Sequence, residues 1–194
     1  MSHTVQILAF AGSTRQQSFN RQLVHIAADG ARDFGAQVTL ADFRDFPLPL
    51  FDPDEESTHG MPDPARALKR LLMDNHGFLI ASPEYNGSLT GLLKNTIDWM
   101  SRSEDGDVAP LAAFRGKVVT LMSASPGALG GLRGLVHLRA ILGGLGSLVL
   151  PDQVTVSNAQ EAFNKDGGLA DRAQHQRVLK LGENLASVAS KLHT

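Results

Sequence analysis

The chain alternates short, almost wholly apolar runs with longer stretches in which apolar residues recur every three to four positions. The apolar runs are Val5 to Ala11, Val38 to Phe43, Phe78 to Ala81, Val118 to Met122 and Leu148 to Val156, and they predict five strands. The periodic stretches predict helices at Asn20 to Phe34, Pro64 to Asn75, Thr90 to Ser101, Ala128 to Leu145 and Leu169 to Leu192. Strands as uniformly apolar as Val5-Gln6-Ile7-Leu8-Ala9-Phe10 and Val118-Val119-Thr120-Leu121-Met122 are expected where helices cover both faces of a sheet. The strict β-α order therefore predicts an α/β fold, with a parallel, doubly wound sheet between two helical layers. Local signals agree. Asp63-Pro64 puts a capping residue type before a proline of the first turn, and Gly35 follows the first helix where a left-handed stop is wanted.

An open sheet of this kind binds ligands beyond the carboxyl ends of its strands, where the strand order reverses. Attention falls on three loops. The first, Gly12-Ser13-Thr14-Arg15-Gln16-Gln17-Ser18-Phe19-Asn20, runs from a strand straight into a helix. Its backbone N–H groups are orphan donors at the positive end of a helix dipole, Ser13, Thr14, Ser18 and Asn20 add short polar side chains, and Arg15 supplies a cation, which together make an anion cradle. The plainer reading is a polar turn in which Ser18 or Asn20 is an N-cap. Neither G-x-x-x-x-G-K-[ST] nor a G-x-G-x-x-G after a strand occurs, so nucleotide hydrolysis by a P-loop and a standard dinucleotide fold lose support.

The second loop, Ser82-Pro83-Glu84-Tyr85-Asn86-Gly87-Ser88, holds the one tyrosine of the chain. Pro83 fixes a turn, Gly87 permits positive φ, and Tyr85 offers a planar face beside backbone amides, a combination suited to a flat heteroaromatic ring. A simple Pro-x-x-Asn-Gly turn is the alternative. The third loop, Ser123 to Gly131, contains Ser125 among small residues that allow close backbone approach, and it lacks the G-x-S-x-G of a hydrolase elbow.

Composition narrows the chemistry. At 194 residues, with 42% hydrophobic and 20% charged positions and no low-complexity tract, the chain is expected to form one globular domain over residues 1–194. A formal net charge of −2 gives no basic footprint for nucleic acid and no one-signed surface for steering toward a protein redox partner. The absence of cysteine excludes disulfides and thiol chemistry and suits the cytoplasm, and no stretch has the length of a membrane span. His3, His25, His59, His76, His175 and His193 show no paired ligand spacing, so no protein metal site is expected; Asp52, Asp54, Glu55 and Glu56 read as a solvated acidic turn rather than a calcium loop.

The first loop, together with Ser82-Pro-Glu-Tyr-Asn-Gly-Ser-Leu-Thr-Gly-Leu-Leu-Lys-Asn-Thr-Ile-Asp-Trp99, resembles the NADPH-dependent FMN reductases, a flavodoxin-like group that includes quinone, azo and chromate reductases. A third similarity is His137-Leu-Arg-Ala-Ile-Leu142 after the Gly130-Gly131 pair, and the match is densest from Val5 to Arg102. The resemblance implies a flavodoxin-like five-stranded sheet in three α/β/α layers. It further implies that Ser13, Arg15, Ser18, Phe19 and Asn20 surround the phosphate of FMN, that Pro83, Glu84, Tyr85, Asn86 and Gly87 line the isoalloxazine, and that Ser125 approaches it from the third loop. NADPH or NADH would be the donor, and a quinone, azo compound, flavin or oxyanion such as chromate the small-molecule acceptor, in a homodimer or homotetramer. Because the flavin carries the redox chemistry, no catalytic acid or base is expected of the protein.

Helix residues Lys94, Asn95, Asp98 and Trp99, with Leu89, Leu92, Leu93, Ile97 and Met100, read as core or interface, and His137 and Arg139 as structural. Ser103 to Pro110, with Glu104, Asp105 and Asp107, reads as a family-variable loop. Two other functions fit the fold: a flavodoxin-type carrier exchanging electrons with proteins, and a flavin-free phosphate-binding module.

Overall fold

The computed structural model describes residues 4–104 and 107–193, so His3 and Asp105 lie outside the described residues. Strands β1 (Gln6–Ala11), β2 (Gln37–Ala41) and β3 (Gly77–Ala81) are joined by α1 (Phe19–Asp33) and by α2 (Pro53–His59) with α3 (Asp63–Met73). A two-stranded hairpin, β4 (Glu84–Tyr85) and β5 (Ser88–Leu89), then leads into α4 (Gly91–Met100). After it come β6 (Val118–Ala124), α5 (Leu132–Gly144), β7 (Leu148–Val156), α6 (Ala159–Ala162) and α7 (Arg172–Leu192). The main sheet is parallel throughout, in the order β2-β1-β3-β6-β7. The five predicted strands are those of this sheet; the small hairpin, α2 and α6 are additions inside what reads as loop.

Alternation within the apolar strands feeds two cores. Ile7, Ala9, Ala11, Leu79, Ala81, Val118 and Met122 face α1 and α7, whereas Leu8, Phe10, Phe78, Ile80, Val119 and Leu121 face α3, α4 and α5. This is the three-layer α/β/α arrangement, and both sheet faces are dry because both are covered. Helices α1 and α7 approach so closely that a β-carbon at Gly182 would lie 1.8 Å from the Ala27 carbonyl oxygen, and one at Gly30 2.0 Å from that of Leu179. At the sheet edge, β7 carries Pro151, which an edge strand tolerates; the register slips between Val119 and Leu121 to accommodate it. Arg139 fastens that irregularity through the carbonyl of Leu150 at 2.7 Å and the side chain of Gln153 at 3.0 Å, the structural role expected of it.

Several boundaries move for local reasons. The second strand stops at Ala41 instead of Phe43 because the Asp42 carboxylate accepts the Arg44 N–H at 3.0 Å and turns the chain, burying Phe43 in a single 3-10 turn. Helix α3 begins at Asp63 without a side-chain cap; that carboxylate pairs with Arg66 at 3.1 Å instead. Helix α5 starts at Leu132, not Ala128, because Gly130 and Gly131 adopt φ of 59° and 91°. The acidic turn is the first turn of α2, capped by Asp52, and its Glu56 pairs with Arg102 at 2.8 Å. In the variable loop, buried Lys69 binds Asp107 at 2.6 Å and the Arg102 carbonyl at 2.7 Å.

Candidate functional site

The loops after β1, β3 and β6 leave the same edge of the sheet from adjacent strands, and hydrogen bonds lock them together. Ala11 pairs with Ala81, and the next N–H, that of Gly12, donates to the Ala81 carbonyl at 2.9 Å. Ser82 N–H reaches the Met122 carbonyl at 2.9 Å, and the Thr90 hydroxyl, which also caps α4, donates to the Gly12 carbonyl at 2.9 Å. Thr90 thus ties the far end of the hairpin to the start of the first loop. Ser125 N–H bonds the Val156 carbonyl at 3.0 Å, fixing the third loop to the edge strand. The order in which strands are added reverses between β1 and β3, where the first two loops meet.

Within the first loop, the N–H groups of Thr14, Gln16, Gln17 and Phe19 donate to no group among the described residues, whereas Arg15 N–H donates to Ser13 Oγ at 3.3 Å and Ser18 N–H closes the turn at Gln16-Gln17. A set of convergent free donors opening α1 has the chemistry of a phosphate cradle. Arg15 is exposed with its guanidinium 5.7 Å from the centroid of the Phe19 ring, and it pairs with no carboxylate among the described residues. Phe19 in turn stacks on Phe163 at 5.6 Å, so the loop is braced from below by aromatic packing.

Two side chains of this loop also have partners within the protein. Ser18 caps α1 through a long 3.4 Å bond to Arg21 N–H. Asn20 is buried, and its amide exchanges two hydrogen bonds with the backbone of Ala124 at 2.8 and 2.9 Å. Asn20 therefore joins the cradle to the β6 loop, whereas Ser18, an acceptor in its cap bond, keeps its hydroxyl proton to donate.

The second loop is a two-residue hairpin. Asn86 and Gly87 adopt φ of 52° and 78°, the left-handed pair that a tight hairpin between right-twisted strands requires. It lifts Tyr85 to 60% exposure, an uncommon position for a large aromatic ring, while Pro83 stays buried beneath it. Glu84 faces inward. Its carboxylate accepts the N–H groups of Arg133 and Gly134 at 3.0 and 3.2 Å, capping α5, and its other oxygen accepts Arg133 Nε at 2.8 Å and Nη2. Burial alone would raise the Glu84 pKa, but the bonds from Arg133 and Gly134 outweigh it and hold the carboxyl below its ordinary value. His137, one turn along α5, holds Ser88 Oγ at 2.9 Å. Arg133 and Thr90 carry this architecture, yet no local spacing marks Arg133, whose partner lies 49 positions away.

The Ser125 hydroxyl accepts the Gly127 N–H at 3.2 Å, shaping its own loop. Beside it, the buried Ser123 hydroxyl has no partner among the described residues. No group of three or more potential metal ligands occurs among the described residues. The edge therefore offers free amide donors, one cation and one exposed ring, a set that fits a flavin mononucleotide: phosphate on the first loop, heterocycle against the second.

Comparison with known proteins decides the family. The family model of the NADPH-dependent FMN reductases matches residues 5–161. The chain belongs to that family. Its members use FMN with NAD(P)H as electron donor, and the chain is accordingly an oxidoreductase. A quinone reductase of Escherichia coli is 37% identical over 153 residues, spanning 77% of this chain and 76% of the relative. An NAD(P)H-dependent FMN reductase of Pseudomonas aeruginosa is 34% identical over 172 residues, 88% of each chain. Among solved structures, the flavoenzyme NAD(P)H:(acceptor) oxidoreductase FerB of Paracoccus denitrificans superposes with a TM-score of 0.77 at 22% identity, covering 97% of this chain and 98% of its own. An archaeal flavodoxin superposes with a TM-score of 0.62 at 11% identity, over 95% of this chain and 99% of that one, which places the fold in the flavodoxin-like class. No helix among the described residues is long and apolar enough to cross a membrane.

Proposed function

We propose that this reductase is a single FMN-binding domain that passes electrons from NADPH or NADH to small acceptors, with quinones the leading class and azo compounds, free flavins and oxyanions such as chromate within its reach. The observation that carries the reading is that the free N–H groups of Thr14, Gln16, Gln17 and Phe19 lie on the same sheet edge as the raised Tyr85 hairpin. Bound FMN would supply the redox step, taking hydride from the nicotinamide and passing electrons to the acceptor.

The residues supply placement. The N–H groups of the first loop, with Ser13 and the Arg15 cation, hold the phosphate; Asn20 and Ser18 set the loop's shape. Pro83 to Gly87 present backbone amides and the Tyr85 ring to one side of the heterocycle, and Ser125 closes the far side. No acid or base is assigned to the reaction, because hydride delivery and electron transfer to a quinone need none from the protein. Glu84, tied to Arg133 and held ionised, acts as a positioning residue for the hairpin.

A homodimer or homotetramer is supported by Leu129, Leu132 and Val136, which stand 51%, 40% and 58% exposed near the start of α5, the helix that carries the hairpin. Absence of cysteine suits a cytoplasmic enzyme. A carrier serving protein partners is disfavoured by a net charge of only −2, and this reading has no use for nucleic acid or membrane. Steady-state turnover of NADPH or NADH with a small quinone, dependent on added FMN, tests the proposal; FMN binding without turnover would return the protein to the carrier class.

A further inference from the structure

A groove of about 590 Å³ runs from the cradle along the outer face of α1. Ser18, Arg21, Gln22, His25 and Asp29 form one wall, at the spacing of a single helix face; residues 166–168 and His175 of α7 form the other. From Ser18 to Asp29 this face extends roughly 16 Å at 1.5 Å per residue. Its volume lies in the range of small-molecule sites.

The groove is polar and nearly charge-balanced. Arg21 is paired with Asp42 at 3.0 Å, and Asp29 with Arg32 at 2.8 Å. His25 has its pKa lowered, by partial loss of water first and the nearby Arg21 charge second, so its ring is neutral at pH 7. The Nδ1 atom of His175 accepts the Leu169 N–H at 3.2 Å, which leaves its proton on Nε2 as a donor. One Asp166 oxygen accepts the Gly168 N–H at 3.1 Å, leaving the other as an acceptor. Gln22 lines the groove, and its Oε1 is turned away from water with no hydrogen-bond partner among the described residues. A buried acceptor left without a donor costs free energy, and a turn of the Gln22 amide toward a ligand N–H or O–H in the groove would recover it.

We infer that this groove is a subsite for adenosine, and that the cradle consequently accepts FAD as well as FMN. The inference rests on the reading that the first loop holds the flavin phosphate. Continuity argues for FAD as the source: the groove starts at Gln16 and Ser18, so a group linked through the flavin phosphate enters it directly. The adenosine of a nicotinamide donor would have to arrive from the ring side, at the Tyr85 hairpin. Chemistry points the same way. Adenosine brings an exocyclic amine and two ribose hydroxyls as donors for Gln22 Oε1 and Asp166, and acceptor nitrogens for His175 Nε2. The second phosphate that joins adenosine to the flavin phosphate would fall at the cradle end, beside Gln16, Ser18 and Arg21, and the balanced charges farther along suit the neutral nucleoside.

The test is titration of flavin-free protein with FMN and with FAD, read by flavin fluorescence, for the unaltered chain, for Gln22→Leu and for His25→Trp. The second substitution fills the groove and leaves the cradle intact. The unaltered protein should bind FAD at least as tightly as FMN, and each variant should weaken FAD about tenfold while changing FMN by less than about twofold. An FAD affinity about tenfold below that for FMN in the unaltered protein, or variants that shift both flavins equally, would overturn the inference. So would variants that raise KM for NADH while sparing FAD, since the adenosine would then be the donor's. Failure of FMN itself to bind would instead sink the reading of the cradle.

Discussion

Asn20 and Ala124 lie 104 positions apart and are joined by reciprocal hydrogen bonds, the Asn20 amide donating to the Ala124 carbonyl at 2.8 Å and accepting its N–H at 2.9 Å. The first turn of α1 and the end of β6 are therefore one rigid unit, and the cradle is held from the side as well as through its own strand. Asn20→Leu removes both partners from buried backbone groups. It should cost about 1–3 kcal/mol of stability, measured by urea denaturation, and weaken FMN retention as the loop loosens.

Arg15 contributes charge and little architecture, since its only described contact is the face of Phe19. Arg15→Ala should leave thermal unfolding unchanged and weaken FMN binding by roughly 1.5 kcal/mol, the lower end for a charge-assisted contact because the side chain is exposed. Fluorescence titration at two ionic strengths checks it: added salt should narrow the gap between the variant and the unaltered protein.

Asp42, beyond the end of β2, makes stability depend on acid. The bonds from Arg44 hold the Asp42 pKa at about 2 against an ordinary 3.8, burial opposing and the Arg21 charge assisting. A depressed folded-state pKa means stability that is complete above the ordinary value and is lost as pH falls from 3.8 through about 2. Glu84 is shifted in the same direction. Asp42→Asn should flatten the fall of melting temperature across that interval; an unchanged slope would show that other carboxylates govern it.

Gly182 is where α7 crosses α1, and a methyl group there would overlap the Ala27 carbonyl. Gly182→Ala gains helix propensity but forces the helices apart, so a net loss of about 1–3 kcal/mol is expected. Differential scanning calorimetry should record a melting temperature several degrees lower.

The sheet was legible in the sequence because its strands are buried on both faces and so read as unbroken apolar runs, as Val118 to Met122 do. The two site loops were legible because phosphate cradles and tight hairpins demand particular residue types: small and hydroxylated after β1, Asn-Gly after Tyr85. What escaped depends on partners remote in sequence. Asn20 and Ser18 read as anion ligands with an N-cap as the plainer alternative, and their bonds to Ala124 and Arg21 depend on partners that residue type does not reveal. Glu84 read as lining for a flavin, whereas its carboxylate serves Arg133 and the start of α5. The apolar periodicity predicts a start of α5 at Ala128, while positive φ at Gly130 and Gly131 delays it to Leu132.

The central claim is that one FMN bridges the cradle and the Tyr85 hairpin and can be reached there by a nicotinamide. Its most direct measurement is the visible spectrum of FMN-loaded protein after anaerobic addition of NADPH and, separately, NADH. The account predicts that at least one of them bleaches the bound flavin and that air or a quinone restores the oxidised spectrum. A protein that takes up no FMN, or whose bound FMN stays oxidised with both donors, would contradict it.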